Sequence, residues 1–362
     1  MDHNQLRDYN QNFSLDHCPL GNQGYNRVLL QLFGFTGHGK SALINSLMYV
    51  LNAGKYEVHA KSGVISSGGA VTMERIAYGL TATITVVDNR GLGRMNEFER
   101  GMIYAQLGNF MPLNEKVEWT DSYEDFVSQL EDSGLDPNYT DFIVPVFVYK
   151  VPAPLSEQEG SEIRAFFKNC RNLTGVFPIV VLTFKTSGDY FEVEKMFKCL
   201  GAEVVVAVEN YSEEDQLQTL GRNTDFLNLL KSALDHVTFR MGNPRNPKEE
   251  RIERKKFLLK YVHDIAMAES IEKEKMKQED RKAEQDTRYQ LRRQADQCAS
   301  LALVAELSRM TLVMMEALAD SEEEEEFMET RAARRVREAE EAKQAREAQM
   351  QDSKDKKGCC IQ

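Results

Sequence analysis

Apolar positions fall in five short blocks across the first two thirds of the chain, at 28–33, 82–88, 142–149, 177–184 and 203–208. Each block is rich in β-branched or aromatic side chains and has the length of a strand buried on both faces. The stretches between them are long enough for crossovers, so the pattern predicts an α/β fold: a mostly parallel sheet flanked by helices. Residues 1–26 are polar and read as a flexible N-terminal arm.

The pattern changes after Gly242. No glycine follows until Gly358, the last proline is Pro247, and Ala, Glu, Lys, Arg, Gln and Met dominate. Such a composition predicts an all-helical C-terminal extension. Leu258, Tyr261, Val262, Ile265 and Ala268 make one stripe at three-and-four spacing, and Leu291, Ala295, Cys298, Ala302 and Ala305 make another. The stripe nearly vanishes between 273 and 290, which argues against one continuous coiled coil. Leu301–Leu318 is the most apolar window, but Glu306, Arg309 and Glu316 interrupt it. A spanning helix needs about 20 largely uncharged residues, so burial in a bundle or against a partner is expected. The run Glu322–Glu326 predicts a solvated break, with a charged helix following from about 329 to 350.

Charge and cysteine usage narrow the function classes. Across 362 residues, 45 Lys+Arg stand against 57 Asp+Glu, a net charge of −12, which argues against a general nucleic-acid surface. Six cysteines, at 18, 170, 199, 298, 359 and 360, lack zinc-site or disulfide-scaffold spacing. The first residues show neither a basic nor an apolar signal region. A reducing, cytoplasmic setting is expected.

The clearest chemistry lies just after the first block. Gly34, four residues, then Gly39-Lys40-Ser41 fits the phosphate-binding loop pattern, between a strand and the helical spacing of residues 42–48. Backbone N–H groups from Gly37, His38 and Gly39 through Ser41, at the positive end of a helix that continues into Ala42, suit phosphate oxygens. Lys40 suits the β- and γ-phosphates, and the Ser41 hydroxyl suits Mg2+. The second block ends Asp88-Asn89-Arg90-Gly91, a DxxG element whose aspartate acts on magnesium through water and whose glycine N–H can meet a γ-phosphate.

This run of motifs resembles the TRAFAC class of P-loop GTPases, and in particular its vertebrate immune branches. "GGAVTMERIAY" before "ITVVDNRGLG" is similar to the switch region of the AIG/GIMAP GTPases. "DNRGL", "FPIVVLTFKTSGD" and "VVVAVENYSEED" are similar to the interferon-induced protein 44 family. The resemblance covers about residues 27 to 240 and implies a G domain there that binds GTP or GDP with Mg2+. It also implies that Thr72 completes the metal shell with Ser41 and Asp88. In such enzymes the fifth strand ends with Asn/Thr-Lys-x-Asp, whose aspartate reads guanine. Here it ends Thr183-Phe184-Lys185-Thr186-Ser187-Gly188-Asp189, so Thr186 takes the aspartate's place unless Asp189 loops back. The segment Ala207–Tyr211 offers a backbone contact to the base or is only a strand end.

Catalysis departs from the family as well. Leu92 stands where Ras-like enzymes carry a water-orienting glutamine, leaving His38, Arg90 and Arg94 as nearby candidates, His38 and Arg94 foremost. The chain ends Cys359-Cys360-Ile361-Gln362, a C-a-a-X pattern for prenylation at Cys359. The resulting layout is an arm (1–26), a G domain (27–240), a charged helical region (245–350) and a prenylation-type tail (351–362). The leading expectation is a GTP-binding, GTP-hydrolysing switch that forms homo-oligomers and sits peripherally on membranes, in cell-autonomous innate immunity. A nucleotide-binding scaffold with little hydrolysis, or an ATP-binding protein, are the alternatives.

Overall fold

The computed structural model of the chain describes residues 1–61, 74–93, 97–117, 122–133 and 140–355. The chain divides into two units, 1–271 and 272–362. Thr72, Arg94 and Cys359 lie outside the described residues.

In the first unit the elements run α1 (His3–Gln11), β1 (Arg27–Phe33), α2 (Lys40–Asn52), β2 (Glu74–Gly79), β3 (Ile84–Asp88), α3 (Glu97–Leu107), β4 (Glu115–Lys116) and α4 (Tyr123–Asp132). They continue with β5 (Asp141–Lys150), α5 (Glu157–Thr174), β6 (Ile179–Thr183), α6 (Tyr190–Cys199), β7 (Val205–Ala207) and α7 (Leu220–Arg240). The strands form one seven-stranded sheet in the order β4-β2-β3-β1-β5-β6-β7. Strands β3, β1, β5, β6 and β7 are parallel, and these are the five expected from the apolar blocks. Strand β2 is antiparallel to β3, and β4 is antiparallel to β2. The apolar pattern hides β2 because its one fully buried side chain is an arginine, Arg75.

Successive side chains of the central strands go to opposite faces. Val144 and Val146 of β5 join the layer built with α1, α2 and α7, whereas Ile143 and Phe147 join the layer containing α3, α4, α5 and α6. Helix α5 is fixed at both ends. Ser156 and Glu159 form a reciprocal capping box, and Gly175 closes the helix at φ 81°.

The expectation of a loose arm over residues 1–26 is overturned. Asp2 and Gln5 cap α1 reciprocally. Leu6, Leu15, Cys18 and Tyr25 are buried, and Asn10 Nδ2 donates to the Leu227 carbonyl of α7 at 3.0 Å. The segment stays polar in composition because only its few inward-facing positions need to be apolar.

A last helix, α8 (Pro247–Asp355), begins in the first unit, where Leu258 and Val262 are buried and Tyr261 meets Tyr104 edge-on at 5.0 Å. In the second unit the described residues stay helical through Glu322–Glu326, so the expected break is absent. Glutamate is a good helix former, and a run of them does not interrupt the backbone pattern. The apolar window is also exposed rather than buried in a bundle, with Leu301 at 70% and Leu318 at 62%. One 18-residue window of α8 has mean hydropathy 1.5, long and apolar enough by length and composition to cross a membrane.

Candidate functional site

The candidate residues converge at the carboxyl ends of the parallel strands, the edge at which open α/β sheets place ligands. Strand β1 ends at Phe33 and the chain turns at Gly34, whose φ is 142°. A Cβ there would lie 2.1 Å from the Val148 carbonyl oxygen, so the loop can leave the sheet only through a glycine. Gly37 and Gly39 follow at φ 77° and 86°. Gly39 occupies the N-cap position of α2 without a side-chain cap, so Lys40, Ser41 and Ala42 open the helix with amides facing the loop's hollow.

Lys40 is buried, and its Nζ donates to the carbonyls of Gly34 at 3.0 Å and Phe35 at 3.2 Å. Burial lowers its pKa from the usual lysine value, and the Asp88 carboxylate partly opposes that shift. A Cβ on Gly91 would lie 3.1 Å from this ammonium and 2.9 Å from Thr36 Oγ1. Ser41 Oγ donates to Asp88 Oδ2 at 2.7 Å. Lysine, serine hydroxyl, aspartate and glycine therefore meet around one loop, although 47 residues separate Ser41 from Asp88.

Leu92 is 1% exposed within the apolar layer, and its backbone exchanges hydrogen bonds with Gly34 and Thr36. Its side chain belongs to the core and not to the surface over the loop. His38 departs from its expected catalytic part. The ring packs 4.9 Å from Tyr149 and 5.3 Å from Phe35, and Nδ1 accepts from the Lys150 amide at 3.3 Å. Burial, then Lys150 and Lys40, push its pKa down to about 3. At neutral pH it is an uncharged ring whose proton sits on Nε2, a wedge beneath the loop rather than a base. The Arg90 guanidinium reaches the Val117 carbonyl at 3.1 Å.

Asn89, next to Asp88, is fully buried. Its Nδ2 donates to the Leu32 carbonyl at 3.1 Å, and its Oδ1 accepts from Arg75 Nε at 3.1 Å. Arg75 also donates to Gln31 Oε1, to Asn109 Oδ1 and to the Met111 carbonyl. A polar network thus ties the DxxG element to β1, β2 and the end of α3.

On the far side of the loop, Thr183 Oγ1 donates to the His38 carbonyl at 2.8 Å and Asn210 Nδ2 to the Gly39 carbonyl at 3.1 Å. An open recess beside them is lined by Lys185, Thr186, Glu209, Arg222 and Asp225, among others. Asp189 is not in it. Its carboxylate accepts from the Phe191 and Glu192 amides and caps α6, so it does not loop back as the sequence allowed. Lys185 pairs with Asp225 at 2.6 Å. Thr186 donates through both its amide and its hydroxyl to Glu209 Oε2, each at 2.8 Å. Arg222 fastens this edge by donating to the carbonyls of Glu209 and Asn210 while stacking 3.8 Å from Tyr211. Sequence reasoning marked the Ala207–Tyr211 segment but missed Arg222 and Asp225, which sit on an ordinary amphipathic helix with no local signal of their role.

No family model matches the chain, and no curated protein matches it. Among solved structures, a protein from Thermus thermophilus aligns at 15% identity and TM-score 0.28, over 49% of this chain and 22% of its own. Two point variants of SsGBP align at 18% and 17% identity with TM-scores 0.28 and 0.27, over 60% and 59% of this chain and 57% of theirs. The chain thus spans less than two thirds of the length of each, and likenesses this slight leave the α/β arrangement of sheet and helices to stand on its own geometry.

Proposed function

We propose that residues 27–240 form a P-loop NTPase G domain of the TRAFAC class, related to the AIG/GIMAP and interferon-induced protein 44 families, and that the chain is a GTP-binding switch. The observation that carries this reading is the Ser41–Asp88 contact at 2.7 Å beside a buried Lys40 and a Gly91 at which a Cβ would crowd Thr36 Oγ1 and that lysine. Gly34, Gly37, His38, Gly39 and Ala42 contribute the backbone cradle, Lys40 the phosphate-facing cation, and Gly91 an amide at the γ-phosphate. Ser41 and Asp88, with Thr72, hold Mg2+, which would neutralise phosphate charge. Guanine preference is assigned to Glu209 and Asp225, which line the recess beside the loop, whereas Asp189 caps α6 outside it. A carboxylate accepts from the guanine N1 and N2 donors and finds no such pair on adenine.

For hydrolysis, Arg94 is the proposed charge-stabilising residue, in cis or from a second copy. Because His38 is neutral and Leu92 is buried, the reading of a nucleotide-binding scaffold with slow turnover stands second. Self-association, a lipid on Cys359, a peripheral membrane location in the cytoplasm and a part in innate immunity complete the proposal.

The test is nucleotide binding by the full chain. Lys40→Ala and Ser41→Asn are expected to abolish tight Mg2+-nucleotide binding with an unchanged circular dichroism spectrum, and unchanged affinity in both would refute the reading. ATP displacing labelled GDP as well as GTP does would remove the guanine assignment. Multiple-turnover phosphate release separates the switch from the scaffold.

A further inference from the structure

The exposed apolar stretch of α8 has an internal symmetry. Leu303, Leu307, Met310 and Met314 are 65%, 56%, 59% and 65% exposed and follow one another at spacings of four, three and four. That spacing makes a seam along one side of a helix. At 100° per residue Arg309 and Glu316 fall on the other side, and Glu306 flanks the seam about 40° from Met310. The seam reads the same in reverse about a point between Ser308 and Arg309. A second helix laid antiparallel about that point sets Leu303 opposite Met314 and Leu307 opposite Met310.

The flanking charges obey the same reversal. Arg288, Arg292 and Arg293 precede the seam, and Glu324, Glu325 and Glu329 follow it. The antiparallel register sets Arg293 opposite Glu324, Arg292 opposite Glu325 and Arg288 opposite Glu329, once at each end of the pair. It also sets Tyr289 opposite Met328, 64% and 62% exposed, so the paired length is about 60 Å. Parallel pairing would instead face Glu323–Glu326 with its own copy, a like-charge contact that disfavours that orientation. A lipid surface is the poorer occupant. Although one 18-residue window passes for a span by length and composition, Glu306, Arg309 and Glu316 all fall within 301–318, and anionic headgroups repel the glutamate run beside it.

We propose that two copies of this chain pair through α8 as an antiparallel, two-fold dimer centred between Ser308 and Arg309. This deepens the self-association in the proposed function and rests on that part of it; nucleotide binding is not required. A two-fold contact uses the same patch on both copies, as this seam does.

The experiment uses the full chain with Cys199, Cys298, Cys359 and Cys360 replaced by serine. Leu303→Cys and Met314→Cys variants are oxidised separately and as a mixture, and their mass is followed by light scattering. Disulfide dimers are expected in the mixture and not in either variant alone. Cross-linking of each variant with itself would mean a parallel pair and overturn the proposal. The double variant Arg292→Glu/Arg293→Glu is expected to raise the dimer dissociation constant about tenfold or more. Adding Glu324→Arg and Glu325→Arg should restore it, which separates a lost contact from a lost fold. A monomer at micromolar concentration, or a monomer that floats with phosphatidylcholine–phosphatidylserine vesicles, overturns the pairing. Labelled GDP bound by the same sample would show that the nucleotide reading survives that failure.

Discussion

Replacing His38 by asparagine should flatten the acid dependence of stability. The imidazole is held near a pKa of about 3 by burial and by Lys150 and Lys40, against an ordinary value near 6.5 in the unfolded chain. The folded state therefore binds fewer protons than the unfolded state throughout that interval. The contribution of this ring is fully present above pH 6.5 and is lost as pH falls toward 3. Between pH 8 and pH 5 the loss amounts to about 2 kcal/mol from this ring alone. Because pH 5 lies well above the native value, that magnitude is set by the unfolded imidazole. Asparagine keeps an acceptor at the place of Nδ1 for the Lys150 amide and does not titrate, so His38→Asn isolates the proton from the packing. Urea unfolding of both proteins at pH 8, 6.5 and 5 reads the effect. The native protein should lose about 2 kcal/mol more than the variant across the range, whatever their difference at pH 8. Parallel pH profiles would mean that the ring is not held neutral beneath the loop.

Gly34→Ala should cost about 3 kcal/mol or more, since its Cβ would meet the Val148 carbonyl at 2.1 Å; a midpoint within error of the native protein in urea refutes the close approach. Arg75→Met should also lose about 3 kcal/mol or more, because three side-chain amide oxygens and the Met111 carbonyl lose a buried donor. A loss below about 1 kcal/mol would place the network in solvent contact. Cys359→Ser is expected to make the protein wholly soluble on cell fractionation, since its loss leaves the sparse basic residues near the end and an apolar stretch of α8 that the proposed pairing covers. Membrane retention of that variant would locate the anchor elsewhere.

The central sheet was legible because four of its five parallel strands are buried on both faces, and these and the half-buried β7 all leave apolar runs. Strand β2 lacked that mark, since Arg75 occupies the position a strand normally fills with valine. The loop and the DxxG element were legible for a related reason. A glycine forced by a carbonyl 2.1 Å away, and a lysine and a serine at fixed offsets from it, keep their chemistry in local spacing. The base side is different. Asp189 looked available because sequence shows a residue's type and not its partners, and only the start of α6 reveals that one of its oxygens caps that helix. Asp225 reaches Lys185 across 40 residues, a closure written in the packing of α7 rather than in any short motif. The N-terminal segment was misread for the opposite reason, since a few well-placed apolar residues anchored a helix whose average is polar.

The buried Arg75 has a consequence for how the chain can move. Its guanidinium is bonded at once to Asn89 beside the DxxG aspartate, to Gln31 in the central strand and to Asn109, which in turn donates to Asp141 at the foot of β5. Bulk water cannot soften a partial displacement of these groups, because Arg75, Gln31 and Asn89 are fully buried. A small sliding of Asn89 would strand several polar atoms together, and each stranded atom costs free energy that nothing nearby returns. Displacement of this strand end is thus discouraged until a complete second set of partners is on offer, which gives the interior the behaviour of a latch with a threshold instead of a spring with a gradient.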